Sequence, residues 1–349
     1  MQNRIRVRLS LLVLAALCGA AFFAAPAAEA AIGIKAMSRN LYLGTDLVPV
    51  AASGDQATLE RNIQAAFQQV RDNNPARRMA LVAREIRRHK PDAVGLQEAG
   101  IWRTGPKGSS NPARNVVFNY LALLRRAMRR LGLRYRLVQV QPEIDIEGPS
   151  AGGVDVRFTQ QDALLVRRRP GLRILRSRSD NFDARFNFPS AVLGPIPVLR
   201  GWNSADLAFR GRRFRFVNQH IEAYNDDIRI AQARELYLRG GPASTRRSVI
   251  VVGDLNSDPN GRGGQGQGAY EAMIAGGFTD TWTAANRGNP GFTFGVDAAL
   301  ENADFDRRID FVFERGRFRT LRSRLFGGAP VRGQWPSDHK GVVTTLRHP

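Results

Sequence analysis

Cysteine is almost absent: the chain of 349 residues has one, Cys18, in a segment that reads as an export signal. Arg4, Arg6 and Arg8 precede an apolar run from Leu9 to Ala25, and Ala28-Glu29-Ala30 has the small-residue pattern of a cleavage site. Leu17, directly before Cys18, does not suit the small residue that a lipoprotein-processing site needs. Residues 1–30 are therefore expected to be removed, leaving 31–349 as a single secreted domain with no thiol and no disulfide. Long apolar runs are also missing. Nothing beyond Ala31 approaches the roughly 20 apolar residues that a spanning helix needs, and no linker, repeat or low-complexity tract divides the remainder.

Acidic residues are scarce too, 31 against 52 basic ones, for a formal net charge of +21. Lysine occurs only at 35, 90, 107 and 340. A compositional preference for arginine accounts for the choice between the two bases but not for the shortage of acids. Such an excess attracts polyanions, so nucleic acid and anionic membrane surfaces are the partners that charge favours.

What is present is a succession of strands that run out in polar residues. Ile34 to Leu41 is a short apolar segment. Leu59, Ile63, Ala66, Phe67 and Val70 recur at helical spacing, and Pro75 opens a second helix that Pro91 stops. Ala93 to Glu98 reads as a buried strand and Val116 to Leu131 as a helix. From Ala163 the runs shorten: Ala163 to Val166, Leu172 to Leu175, Ala205 to Phe209 and Phe214 to Asn218, with Arg210 to Arg213 as a hairpin connection. Asp227 to Leu238 is helical, capped by Asn225 or Asp226; Ser248 to Gly253 is an apolar strand and Ala269 to Ile274 a short helix. Arg308 to Phe313, Leu321 to Leu325 and Gly341 to Leu346 close the chain. This order suits an α/β sandwich better than a purely parallel doubly wound sheet.

The polar ends are Asn40, Gln97-Glu98, Asn218-Gln219-His220, Asp254-Leu255-Asn256 and Asp338-His339, with Asp310 opening a further strand. Taken singly, Glu98 reads as a solvated strand end, Asp254-x-Asn256 as an Asx-turn and His220 as a satisfied core histidine. Their joint occurrence reads differently. Acids, amides and histidines at one rim of a sheet supply a base, an orienting group and a polariser for attack on a phosphoester. Two of only four histidines lie in these clusters.

In this order the blocks Ser38-Arg39-Asn40-Leu41, Gly95-Leu96-Gln97-Glu98, Asn218-Gln219-His220-Ile221-Glu222, Gly253-Asp254-Leu255-Asn256, Arg308-Ile309-Asp310-Phe311-Val312-Phe313 and Ser337-Asp338-His339 resemble the endonuclease/exonuclease/phosphatase superfamily. The resemblance spans Asn40 to His339. It implies a four-layer sandwich of two packed mixed β-sheets flanked by helices. It also implies Glu98 as metal ligand, with Asn40 beside it and Asp338 available to the same or a second ion, the oxygen donors suiting Mg²⁺ or Mn²⁺. Asp254 would accept a hydrogen bond from the attacking water, Asn256 orient nucleophile or phosphate, and Asp310 hold a cationic His339. The base stays open between Asp254 and His339. His220 would bond the phosphate or protonate the leaving group; it is where abasic-site endonucleases carry tyrosine, which turns the reading from DNA repair. Leu41-Tyr42 stands where some relatives place an acid. Asp46 and Asp162 have no firm counterpart and read as structural, and Arg229 and Gln232 as supports or cleft-edge groups.

These expectations describe a secreted monomeric phosphodiesterase acting on extracellular nucleic acid, with a phospholipid phosphodiesterase as the alternative enzyme. Against the latter stands the lack of a clear apolar hairpin, Phe182 to Phe188 being the nearest candidate. A catalytically silent polyanion- or protein-binding member is the third reading, disfavoured by retention of Glu98, Asp254, Asn256, Asp310, Asp338 and His339. If the export reading is right, the protein recovered outside the producing cell begins at Ala31 by N-terminal sequencing and does not react with a thiol reagent; a retained Cys18 would refute it.

Overall fold

A computed structural model describes residues 33–348; the expected signal segment 1–30 lies outside them. β1 (Ile34–Asn40) leads through a short helix, α1 (Val48–Ala51), and two longer ones, α2 (Gln56–Asp72) and α3 (Pro75–His89), to β2 (Ala93–Gln97). Next come β3 (Ile101–Pro106), β4 (Asn115–Asn119), α4 (Tyr120–Arg130) and the long strands β5 (Tyr135–Pro149) and β6 (Val154–Arg167). The middle of the chain holds β7 (Leu172–Asn181), β8 (Phe186–Phe188), β9 (Ile196–Val198), β10 (Gly201–Phe209), β11 (Arg212–His220) and α5 (Asp226–Glu235). β12 (Ser248–Asp254), α6 (Gly268–Ala275), β13 (Thr279–Asp280), α7 (Thr281–Ala285), β14 (Phe294–Val296) and β15 (Ala303–Arg307) follow, then β16 (Asp310–Arg315), β17 (Arg319–Phe326) and β18 (Gly341–Arg347).

Two mixed sheets result. In the first the order is β17-β18-β1-β2-β6-β3-β4, with β5 also on β6; in the second it is β13-β16-β12-β11-β10-β7. Alternating side chains sort the core into layers. Ile34 and Ala36 of β1, with Ile250 and Val252 of β12, join the cluster between the sheets. Met37 packs outward with Leu59, Phe67, Met79 and Ile86 of α2 and α3, while Val249 and Val251 face Ala233 and Met273 of α5 and α6. The fold is thus helix, sheet, sheet, helix, as expected.

The sheets approach closely at a polar seam. A Cβ on Gly95 would collide with the Asn218 side chain and Val252, so only glycine fits there. Asn218 takes a hydrogen bond from Gln97 Nε2 at 2.5 Å and gives one to Asn203 Oδ1 at 2.9 Å. At the far end of β10 and β11 a two-residue turn, Arg210 (φ 48°) and Gly211 (φ 81°), closes the hairpin read from sequence.

Several elements differ from the sequence reading, which had no counterpart for β3, β5 or β9. The helix expected from Val116 begins only at Tyr120: residues 115–119 form β4 on β3, and Asn119 caps α4 by accepting from Ala122 N at 2.9 Å. β-Branched Val116 and Val117 favour the strand, and the cap residue decides the boundary. Phe182 to Phe188, the nearest candidate for an apolar hairpin, contributes Phe186–Phe188, which pairs with Ile196–Val198 as a small hairpin.

Glu314 of β16 lies opposite Ile250 and Thr279, and burial pushes its carboxyl up to about 7 from an ordinary 4.5. Between those values the folded protein binds more protons than the unfolded chain, so this group costs stability progressively as pH rises through that window. Glu314→Gln is expected to leave the thermal midpoint unchanged near pH 4 and to raise it at pH 8; equal gains at both pH values in a denaturation series would refute the assignment.

Candidate functional site

Strand register brings the polar residues together. His220, Asp254 and Asp310 are successive cross-strand neighbours at the ends of β11, β12 and β16. On the other sheet Asn40 is opposite Gln97, and Glu98 follows in the gap where β2 stops and β3 begins along the same edge of β6. Its backbone is left-handed (φ 57°), as are Tyr42 (φ 58°) and Asn256 (φ 46°). Three non-glycine residues in this sparsely populated region around one cleft show a backbone strained to aim side chains. Glu98 N is held by Asp162 Oδ1 at 3.3 Å and Glu98 Oε2 accepts from Leu43 N at 2.7 Å.

The loop before β18 is tied to the end of β1. Ser337 Oγ donates to Asn40 O at 2.9 Å, fully buried Arg39 donates to His339 O at 2.6 Å, and buried Arg78 reaches Leu41 O at 2.7 Å. Arg229 and Gln232 are supports: Arg229 Nε donates to Glu222 O at 2.7 Å, and Gln232 joins Glu222 N to Ala184 O. Asp46 caps Val48 N at the cleft rim.

At the floor, one ligand atom each from Glu98, Asp254 and His339 lies within 4.8 Å of the others. Asp254 Oδ2 is 3.8 Å from Nε2 of both His220 and His339, and its Oδ1 accepts from Asn256 N at 2.9 Å. His339 Nδ1 is 2.8 Å from Asp310 Oδ2, and its Nε2 is 3.7 Å from Asp338 Oδ1. Asn40 Nδ2 donates at 3.0 Å to both Glu98 Oε1 and Asp254 Oδ2, while its Oδ1 accepts from Tyr42 N. Asn40 thus holds the two carboxylates with its amide hydrogens, whereas sequence placed it among the metal ligands. Asn256 lines the cleft, with Nδ2 donating to Ile221 O at 3.0 Å.

The acids are crowded. Burial, then repulsion from Asp310, raises Asp254; burial, and Glu98 among its neighbours, raises Asp338. Burial opposes charging of His339, but Asp310, Asp338 and Asp254 outweigh it and lift the imidazole to about 10. His220 goes the other way: burial, then Arg200 and His339, push it well down, so it is neutral at pH 7. Negative charge that one imidazolium does not balance, presented by oxygen donors beside an amide, is a fit for a hard divalent cation.

Sequence reasoning missed the shell behind His220. Arg200, just before β10, lies 3.1 Å from His220 Nε2, 3.8 Å from Glu143 and 4.0 Å from Glu222. Asp162, read as structural, is 3.9 Å from His220 Nδ1. Burial raises both Glu143 and Asp162, each opposed by Arg200. In a chain so rich in arginine nothing marks Arg200; its signal is the position beside Gly201, which pairs with His220.

A model of the Endonuclease/Exonuclease/phosphatase family matches residues 62–339. The chain belongs to this family. The match begins after Asn40, whose place in the site therefore rests on geometry. Solved structures share the fold: an endonuclease/exonuclease/phosphatase family protein from Leptotrichia buccalis C-1013-b (16% identity, TM-score 0.58, covering 90% of this chain and 99% of that one), and the Bacteroides thetaiotaomicron VPI-5482 mannosyl-6-phosphatase Bt3783 (18%, 0.53, 90% and 99%). Truncated Caenorhabditis elegans TDP2 is similar too (17%, 0.55, 91% and 98%). No curated protein matches. Endonuclease/exonuclease/phosphatase proteins are phosphoester hydrolases, and that coarse activity goes with membership.

Removing Arg200 leaves Glu143 and Glu222 buried without their cation. Arg200→Ala is expected to cost about 3 kcal/mol of stability, measured by urea denaturation at pH 9, above the value of about 8 to which burial raises Glu143, and Glu143→Gln in that background to restore part of it. A loss below about 1 kcal/mol would show that Arg200 does not balance these acids.

Proposed function

We propose that this endonuclease/exonuclease/phosphatase protein is a secreted, divalent-metal-dependent phosphodiesterase. The supporting observation is the meeting of Glu98, Asp254 and His339 within 4.8 Å at the cleft floor, with Asp310 behind His339. Export rests on the N-terminal sequence alone.

Glu98, with Asp338 at the same end of the cleft, would hold the Mg²⁺ or Mn²⁺. When bound, the ion would neutralise the non-bridging phosphate oxygens and charge building on the leaving oxygen. Asp254, its carboxyl raised by burial, accepts the proton of the attacking water. Cationic His339 donates a hydrogen bond to a phosphoryl oxygen, which favours Asp254 over His339 as the base. Asn256 orients the water or phosphate. Neutral His220 completes the phosphate contacts. Asp310 fixes the His339 ring, a placement that a polyanion-binding module does not need.

For the substrate, the cleft weighs against nucleic acid. Its lining includes one arginine, Arg200, and no lysine; that arginine faces internal acids, whereas a nucleic-acid backbone calls for several cations along its track. The phospholipid-type diester expected as the alternative moves ahead. The purified chain is expected to hydrolyse bis(4-nitrophenyl) phosphate with Mg²⁺ or Mn²⁺, to lose that activity in EDTA, and to lose about 10³-fold in kcat on Glu98→Gln or His339→Ala. Turnover that persists in EDTA, or that survives both substitutions, would sink the proposal. Plasmid cleavage without turnover of a lipid diester would restore nucleic acid as substrate.

A further inference from the structure

The cleft has a polar floor and an apolar flank. Three segments far apart in sequence build the flank: Leu47 and Val50 at α1, Ile144 and Ile146 of β5, and Leu193 and Ile196 of the β8–β9 hairpin. The cavity over the floor has a volume of about 440 Å³, within the range of small-molecule sites. A second cavity of about 30 Å³ adjoins it, sharing Leu47, Val50, Ile146 and Leu193 and continuing to Trp102 and Phe158. The apolar surface therefore runs from beside the carboxylates past α1 and into the space next to Trp102. Phe188 and Tyr224 meet edge to face at 5.6 Å between ring centroids on the hairpin side.

This arrangement restricts what accompanies the phosphate. A sugar or base laid on the flank would lose its hydrogen bonds to water and gain none from these six side chains. An aliphatic chain loses nothing and buries surface against branched side chains that match it. Leu193, 41% exposed, places the mouth of the trough in contact with solvent. We propose that the substrate is a phosphoester carrying an aliphatic chain, with the phosphate on the Glu98, Asp254 and His339 floor and the chain along the trough between α1, β5 and the β8–β9 hairpin. This rests on the phosphodiesterase reading and specifies its substrate class.

The test separates the two. Methyl, butyl and octyl 4-nitrophenyl phosphates, each used as a monomer with Mg²⁺, should show kcat/KM rising about fourfold per added methylene at first. Leu193→Glu should lower the octyl-to-methyl ratio at least tenfold. A flat series in an enzyme that turns over the methyl ester overturns the chain proposal and leaves the phosphodiesterase reading standing. Where no ester is hydrolysed that reading falls, and calorimetry of methyl- and octylphosphonate on the same full chain still decides the trough. Tighter octyl binding with a negative heat-capacity change supports it, and equal affinities refute it. Turnover of phosphatidylcholine in vesicles identifies a membrane as the source of the chain; turnover of monomeric lysophosphatidylcholine alone identifies a soluble lipid.

Discussion

The close face-to-face packing of the two sheets at Gly95 and Asn218 is the constraint on which the rest depends. With no side chain at 95 and an amide network from Gln97 through Asn218 to Asn203, the sheets are fixed in one alignment beneath the cleft. A slip of one residue in β2 or β11 would turn every alternate side chain to the wrong face. Because the alignment is fixed, the ends of β1, β2, β11, β12 and β16 open at the same place. Residues separated by up to 300 positions then meet as neighbours.

Meeting there is electrostatically unfavourable, and the molecule handles the two halves differently. Behind His220, Arg200 sits among Glu143, Glu222 and Asp162, so those acids have an internal counter-charge. At the floor, Glu98, Asp254, Asp310 and Asp338 face one imidazolium and the amide of Asn40. Arg39 and Arg78, which are near, spend their donors on Glu85 and on the carbonyl groups of Leu41, Tyr42 and His339. The buried arginines thus stabilise the frame and leave the floor acids in excess, which is the condition a catalytic cation requires.

Much of this was legible in the sequence because strand ends are local. Ala93 to Gln97 and Ser248 to Asp254 announce themselves as apolar runs that stop in acids and amides, and α2 and α3 show a clear helical period. What stayed hidden depends on pairing between distant segments. β5 has no clean alternation, contains Pro142 and carries two register shifts against β6. The β8–β9 hairpin has Pro189 and Pro195 at the two ends of its loop and Pro197 within β9, and looks like loop until its pairing is seen. Arg200 and Glu143 acquire meaning only beside His220. The signals lost are therefore those carried by β5, β9 and the short link that holds Arg200, which shape the cleft wall, while those on its floor survived in short motifs.

β1 pairs with β18, so that Ile34 faces Leu346. The earliest and latest described strands lie side by side in the interior of the first sheet, and the loop preceding β18 supplies Asp338 and His339. Synthesis must have passed His339 and β18 before the floor can form, and closing so long a loop makes folding slow. A chain cut short of His339 therefore holds most of the floor acids without the imidazolium that faces them, and hydrolytic competence waits on the loop before β18.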